Sequence, residues 1–193
     1  MHAGSFSLQC SLEFWFTRFI GRSDNLLRAE LEQVYLQHRG TLFSLALTVT
    51  GCSGLAEDAV HEGFARLCKK TDRTQGSFVA YVFAAVRNAA IDCRRRQQQE
   101  SVLAESLFRQ HESKSSTASD AASANSDNIL ENEQLKAALE RLEESTRQIV
   151  LLKIFAELTF EEIGEVLTVP AATAATRYRR ALIKLEEQLR SNL

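Results

Sequence analysis

The sequence has little of the residues that interrupt helices. Its 193 residues include a single proline and 8 glycines, and only a few short stretches are rich in β-branched residues. Proline and glycine are the main helix breakers, and β-branched residues favour strands. The composition therefore predicts an all-α fold, and 45% hydrophobic residues suffice for the cores of one domain or two small ones.

Closely spaced cysteines are also missing. The four cysteines are Cys10, Cys52, Cys68 and Cys93, and none belongs to a CxxC pair. A zinc site or a disulfide framework needs tighter spacing or an extracellular context. Reduced, mostly buried thiols of a cytoplasmic protein are therefore expected.

No apolar run is long enough to cross a membrane. The most apolar N-terminal stretch, residues 6–20, is interrupted by Glu13 and Arg18, which makes it too short and too charged for a span. It also lacks the basic start and small-residue cleavage site of a signal peptide. Residues 1–25 are assigned as an extension of unknown role, and no membrane insertion is expected.

Apolar residues recur at helical spacing in two parts of the chain. Residues 26–110 predict three helices, from Leu26 to Thr50 with a break near Gly40, from Leu55 to about Lys70, and from near Phe78 to Phe108. Residues 111–128 contain no large apolar residue, and such a composition is typical of a flexible linker. Residues 129–193 predict a second helical domain, with a helix capped by Ser145 or Thr146.

A short helical hairpin lies near the C-terminus. Thr159 and Glu162 have the spacing of a capping box, and Pro170 suits the first position of the next helix. That next helix carries Arg177, Arg179 and Arg180. Two helices joined by a short turn, the second bearing cations, are typical of a helix-turn-helix that enters the DNA major groove.

Acidic side chains and a histidine share one face of the second predicted helix. They are Glu57, Asp58, His61 and Glu62. Simple solvation is the commonest role of such a face, but it could also bind a metal, serve acid–base catalysis, or dock a basic partner. The second histidine of the zinc-hydrolase pattern is missing.

The segment from Arg73 to Arg96, which includes most of the third predicted helix, is strongly basic. Its charged residues are Arg73, Arg87, Asp92, Arg94, Arg95 and Arg96, five cations against one anion. Phe78, Tyr81 and Phe83 lie at the start of this helix. Cations that bind phosphate, next to aromatic rings that stack on unpaired bases, suit single-stranded nucleic acid, although core packing is the commoner role for Tyr81 and Phe83.

Taken in order, these segments resemble the extracytoplasmic-function (ECF) group of bacterial RNA polymerase sigma factors. Residues 56–67 (AEDAVHEGFARL) are similar to the region that grips the polymerase β′ clamp helices. Residues 77–92 (SFVAYVFAAVRNAAID) resemble the region that melts and reads the −10 promoter element. Residues 161–167 (EEIGEVL), 170–173 (PAAT) and 177–181 (RYRRA) resemble the −35 reader. The resemblance covers residues 26–189.

The resemblance implies a region 2-like bundle over residues 26–110 and a region 4-like helix-turn-helix domain over 129–193. Glu57, Asp58, His61 and Glu62 would bind core polymerase. The residues implied in −10 binding are Arg73, Ser77, Arg87, Asn88, Arg94, Arg95 and Arg96. Those implied in −35 binding are Ala171, Thr173, Ala175, Thr176, Arg177, Arg179 and Arg180. The implied partners are core polymerase (β′ and β), single-stranded −10 DNA, duplex −35 DNA and, commonly in the family, an anti-sigma factor.

The implied protein catalyses no reaction, has no catalytic residue, and needs neither metal nor cofactor. The sequence departs from the family in having His61 for glutamine and Ala175 for a basic residue. Ala175 removes one phosphate-facing cation, which weakens DNA binding and flattens its salt dependence. The alternatives are a stand-alone helix-turn-helix regulator that binds duplex DNA, a metal-dependent hydrolase that uses the acidic face, and a helical adaptor that binds only protein.

Overall fold

Seven α-helices make up the regular structure in the part of the chain that the structure describes. The computed structural model describes residues 25–69, 76–108 and 133–190. The helices are α1 (Asn25–Thr50), α2 (Ser53–Lys69), α3 (Phe78–Phe108), α4 (Glu133–Glu140), α5 (Glu144–Ile154), α6 (Phe160–Leu167) and α7 (Ala171–Arg190). No strand occurs in these ranges, so the predicted all-α fold is confirmed. Three predictions concern residues outside these ranges. They are the linker at residues 111–128, the −10 contact of Arg73, and the N-terminal extension except for residue 25.

None of the helices within the described ranges is long and apolar enough to span a lipid bilayer.

The first three helices pack against one another through buried apolar faces. Phe64 of α2 and Phe83 of α3 are fully buried, which confirms the core role expected for Phe83. The helices α2 and α3 pack closely at Gly63, where an added Cβ would lie 2.9 Å from Cα of Val86. A side chain at this position would push the two helices apart.

The helix α1 is continuous, and the predicted break near Gly40 is wrong. Glycine costs a helix interior roughly 1 kcal/mol relative to alanine. Here the next two residues, Thr41 and Leu42, are buried in the core. Burial of these side chains outweighs the local preference of one glycine, because tertiary packing routinely overrides propensity.

The last four helices complete the fold. The helix α7 packs on α4, α5 and α6, while α5 packs on α1 and α6 packs on α3. One apolar core therefore extends from α1–α3 into α5 and α6, and a smaller cluster under α4 and α7 includes Leu139, Val150 and Leu185. The two predicted helical parts of the chain share a core, which the sequence pattern did not predict.

Two predicted helix starts are displaced. The helix α5 begins at Glu144, so neither Ser145 nor Thr146 caps it; the cap residue is Glu143, whose carbonyl accepts a hydrogen bond from the backbone of Arg147 at 2.9 Å. The helix α7 begins one residue after Pro170, whose carbonyl accepts the first hydrogen bonds of the helix. In both cases the carbonyl of the residue before the helix accepts the first helical hydrogen bond, and the predicted residue does not serve as predicted.

The turn between α6 and α7 leaves no room for a side chain at Gly164. An added Cβ would lie 2.6 Å from the carbonyl oxygen of Val169, and the Gly164 carbonyl itself accepts a hydrogen bond from the Val169 amide at 2.9 Å. Thr168 completes the turn in the left-handed conformation, with φ of 57°. The short helix-turn-helix geometry thus depends on a glycine at this position.

We expect Gly164→Ala to lower the free energy of unfolding by about 1–3 kcal/mol, because the turn must shift to relieve the clash. Urea denaturation followed by far-UV circular dichroism measures the change. Gly54→Ala is the control, since an added Cβ there meets nothing within 4 Å and alanine favours the helix by up to about 1 kcal/mol. Equal stabilities of the two variants would contradict this account of the turn.

Candidate polymerase and nucleic-acid interfaces

The predicted acidic face forms on the outer side of α2. Because Ala56, Ala59, Val60, Gly63, Phe64 and Leu67 point into the core, the residues between them face outward. Asp58 is exposed, whereas Glu57, His61 and Glu62 are half-buried. The structure therefore brings all four predicted residues to one surface, but they differ in what else they contact.

Glu62 belongs to an ion-pair network that joins α2 to α3. Its carboxylate accepts a hydrogen bond from Arg66 at 2.6 Å and another from Arg96. Arg66 also binds Asp92 at 2.8 Å, and the Cys93 thiol donates to the Glu62 carboxylate at 3.6 Å. Burial by itself would raise the pKa of Glu62, but the hydrogen bonds from Arg96 and Arg66 outweigh burial and hold that pKa below its ordinary value.

The network bears on the metal-hydrolase alternative. Across the described part of the chain, no three histidine, cysteine or acidic side chains are grouped so that they could hold a metal ion. Glu62, one of the four residues of that alternative, is instead bound by two arginines. The acidic face consequently offers Glu57, Asp58 and His61 to a partner as separate side chains.

The basic residues of α3 point in two directions. Arg87 Nε donates to Gln148 of α5 at 3.1 Å. Arg94 donates to Glu144 of α5 at 3.0 Å and to the carbonyl of Val49 in α1 at 2.9 Å. Burial lowers the pKa of the Arg87 guanidinium, and the charge of Glu144 opposes that effect. Two of the predicted −10 residues, Arg87 and Arg94, are therefore bound to other helices of the chain.

The other basic residues lie toward solvent or toward α2. Asn88 and Arg95 are exposed, and Arg95 lies 3.5 Å from Asp92. Arg96 turns toward Glu62. Arg96 and Arg66 of the ion-pair network are also exposed, so a nucleic acid approaching this side of α3 could meet Asn88, Arg95 and Arg96.

Ser77 lies immediately before α3 and is engaged from two sides. Its hydroxyl oxygen accepts a hydrogen bond from the Ala80 amide at 3.4 Å. The hydroxyl also bonds the Glu162 carboxylate, and this contact, together with the backbone hydrogen bond from Thr159, lowers the pKa of Glu162. Tyr81, one turn into α3, is half-buried.

The capping box predicted for α6 is confirmed. The Glu162 amide donates to Thr159 Oγ1 at 3.2 Å, and the Thr159 amide donates to Glu162 Oε2 at 2.7 Å. These reciprocal bonds satisfy two amides that the helix start would otherwise leave without partners. They fix where α6 begins and so set its position against α7.

The predicted −35 residues occupy the first half of α7, and none of them is fully buried. Thr176, Arg179 and Arg180 are exposed, whereas Ala171, Thr173, Ala175 and Arg177 are half-buried. Arg177 reaches Ser145 of α5 at 3.5 Å, and the Thr176 hydroxyl donates to the Ala172 carbonyl at 2.8 Å. Arg179 and Arg180 are therefore the cations of the set that extend furthest into solvent.

Sequence reasoning missed Glu144 and Gln148 of α5. Gln148 is only 2% exposed, and it begins a buried run that continues through Leu152. A glutamine at the edge of an apolar run is a signal that a buried polar partner exists. The sequence does not show that this partner is Arg87, which lies 61 positions earlier.

Comparison with known proteins identifies two family regions in the chain. Residues 34–100 match the model of sigma-70 region 2, and residues 132–185 match that of sigma-70 region 4. Comparison with curated protein sequences gives no match. The fold is similar to that of the sigma factor RpoE from Bartonella quintana, solved in complex with the anti-sigma factor NepR; the TM-score is 0.55 at 20% identity, over 83% of this chain and 97% of that chain.

The matches place region 2 on helices α1–α3 and region 4 on helices α4–α7, in the order that the sequence predicted. Together they cover more than half of the chain. A stand-alone helix-turn-helix regulator or a helical adaptor would have no need of region 2. The chain belongs to the ECF group of sigma-70 factors, which bind core RNA polymerase and direct it to promoters for the initiation of transcription.

Proposed function

We propose that three surfaces of the chain bind the partners of a sigma factor. The outer face of α2 docks on core polymerase through Glu57, Asp58 and His61. The start and the solvent side of α3 hold the opened −10 strand. The helix α7 enters the major groove of the −35 element. This proposal rests on the order of the elements in one chain: an acidic helix, a basic helix and a helix-turn-helix.

The docking role of α2 is supported by exposed charge at its centre. Asp58 is exposed and has Glu57 and His61 beside it on the same face. Opposed charge at such a surface steers a basic partner into one orientation. Glu62 has a different role in this proposal, because its carboxylate joins α2 to α3 through Arg66 and Arg96.

The DNA-binding roles follow from the cations and from their positions. Arg179 and Arg180 are exposed on α7, where they can reach phosphates or guanine edges. On α3 the exposed Asn88 and Arg95 would meet the separated strand. Arg87, Arg94 and Ser77 would join them once their contacts with α5 and α6 are released.

In this proposal the chain itself catalyses no reaction and acts in the cytoplasm, where polymerase and promoters are found. Its contribution is binding free energy that stabilises unpaired DNA. RpoE was solved with an anti-sigma factor, and we propose a regulator of that class for this chain as well. Core-binding and promoter-binding assays with purified chain test the proposal directly.

Asp58→Lys should weaken binding to core RNA polymerase at least tenfold, since it reverses the charge at the centre of the docking face. Fluorescence anisotropy with labelled chain and core enzyme measures the affinity. Glu32→Lys is the matched control, because Glu32 is an exposed acidic residue on α1 outside the proposed face. Equal affinities of the two variants would refute the docking role of α2.

Glu62→Gln should lower the free energy of unfolding by about 0.5–1 kcal/mol at pH 7, the range of a partly exposed ion pair. A carboxyl with a depressed pKa stabilises the fold above its unfolded-state pKa, and that stabilisation is lost as pH falls through the folded-state pKa. The difference from wild type should therefore disappear as the solution is acidified below about pH 4.

Urea denaturation at a series of pH values follows this effect. Glu57→Gln, outside the network, is the control and should change stability little at any pH. Core affinity should survive Glu62→Gln if Glu62 positions α2 rather than docks it. A difference in stability that stays constant down to pH 3 would show that the ion-pair network is not its cause.

A further inference from the structure

The outer side of α7 carries a stripe of exposed residues whose charge changes along the helix. The inner side faces α4–α6 through the buried Ala174, Ala181 and Leu185. The opposite side follows helical spacing, and its exposed residues from Thr176 onward are Thr176, Arg179, Arg180, Ile183, Glu186, Glu187 and Arg190. This outer stripe has cations before its isoleucine and carboxylates after it.

Two neighbouring apolar side chains are exposed at the middle of the outer stripe. Ile183 is 57% exposed, and Leu182, at the edge of the stripe, is 41% exposed. A single exposed apolar residue is normal on a protein surface. An apolar pair with charged residues on both sides instead resembles a protein contact surface, which has an apolar centre and a polar rim.

The outer stripe is complementary to itself in the antiparallel direction. Arg179 and Arg180 lie one turn before Ile183, and Glu186 and Glu187 lie one turn after it. A twofold axis at Ile183 would place the two cations of one copy opposite the two carboxylates of the other. It would also bring the apolar centres of the two copies together. A parallel pairing would instead place like charges opposite each other, which is unfavourable.

The carboxylates of the outer stripe are accessible to a partner. Glu186 pairs with Arg190 of the same helix at 3.1 Å, but the two side chains are 62% and 78% exposed. Such an exposed pair contributes little to stability. Glu186 can therefore exchange Arg190 for an arginine of another molecule at small cost.

We propose that α7 pairs antiparallel with α7 of a second copy through the outer stripe, and that this pairing excludes the −35 duplex. A second copy fits because one surface supplies both signs of charge at matched spacing from its apolar centre. Arg179 and Arg180, bound by carboxylates of a second copy, are not available to phosphates. The exclusion rests on the proposed −35 role of these arginines, whereas the pairing does not.

The paired surface is small, so the dimer should be weak. Residues 176–190 span roughly 21 Å at about 1.5 Å per residue, and a contact along one helix face lies at the low end of interface sizes. We expect a dissociation constant that is micromolar or weaker. The dimer therefore forms where the chain accumulates and dissociates on dilution.

Two charge-reversal variants of the full-length chain test the pairing. The basic variant, Glu186→Arg with Glu187→Arg, has cations on both sides of Ile183. The acidic variant, Arg179→Glu with Arg180→Glu, has carboxylates on both sides of it. Each variant alone opposes like charges across the twofold axis, and a mixture of the two variants opposes unlike charges again.

The matched control is Glu32→Arg with Glu100→Arg. It adds the same charge as the basic variant, but at exposed positions of α1 and α3 that lie outside the outer stripe. The control therefore separates a local effect from general repulsion between more highly charged chains. Far-UV circular dichroism verifies that every variant retains its helices.

Sedimentation equilibrium over a micromolar concentration series measures the dimer. Wild type and control should form the same dimer, whereas each charge variant alone should have a dissociation constant at least about tenfold higher, since like charges then face each other. An equimolar mixture of the basic and acidic variants should dimerise at least as tightly as wild type. A misfolded variant would not regain the contact on mixing.

The exclusion of DNA is measured in the same cell. A duplex of mixed sequence, added to the wild-type dimer at low salt, should convert dimers into complexes of one chain with DNA. Dimers that bind the duplex without dissociating would refute the exclusion. If the chain dimerises but binds neither duplex nor core polymerase, the proposed function fails, and the exclusion with it, while the pairing stands.

Two results would overturn the pairing itself. One is a wild-type chain that stays monomeric throughout the series, and the other is a mixture of the two charge variants that does so. Ile183→Glu then identifies the other occupant of the stripe. Weaker binding of this variant to core polymerase, with the wild-type chain monomeric, would assign the stripe to the polymerase and refute the dimer.

Discussion

The structure depends on the burial of α5, the helix of region 4 that packs against α1 of region 2. Ile149 and Leu152 are fully buried in the core of α1–α3, and Gln148 accepts its hydrogen bond from Arg87 at the centre of the same contact. This packing places α6 over the start of α3, and it leaves the outer faces of α2 and α7 open to partners. The same contact determines which basic side chains of α3 are bound within the chain and which are exposed.

Several arginines of the protein are paired with carboxylates of the same chain. The formal net charge of −2 hides a basic helix whose cations are partly neutralised by carboxylates of the same chain. Glu62 binds Arg66 and Arg96, and Glu144 binds Arg94. In the proposed function, phosphates of an opened promoter strand compete with these carboxylates for the arginines of α3.

Local patterns in the sequence predicted most of the helices, because 3.6-residue periodicity and capping residues act over a few positions. The capping box of Thr159 and Glu162 and the long helix α3 are examples. The role of Glu62 and the partner of Gln148 could not be predicted, since Arg96 and Arg87 lie 34 and 61 positions away. Periodicity identifies an apolar face, but it does not show which other face covers it. At Gly40, packing of the neighbouring side chains outweighs the low helix propensity of glycine.

Run-off transcription tests the central claim most directly. Purified chain is added to core RNA polymerase on a library of bacterial promoter fragments, with core enzyme alone as the reference. The account predicts transcripts that depend on the chain, start at discrete positions, and come from fragments that share one pair of −35 and −10 sequences at a fixed spacing. Failure of the chain to bind core enzyme at micromolar concentration, or transcripts identical to those of core enzyme alone, would contradict it.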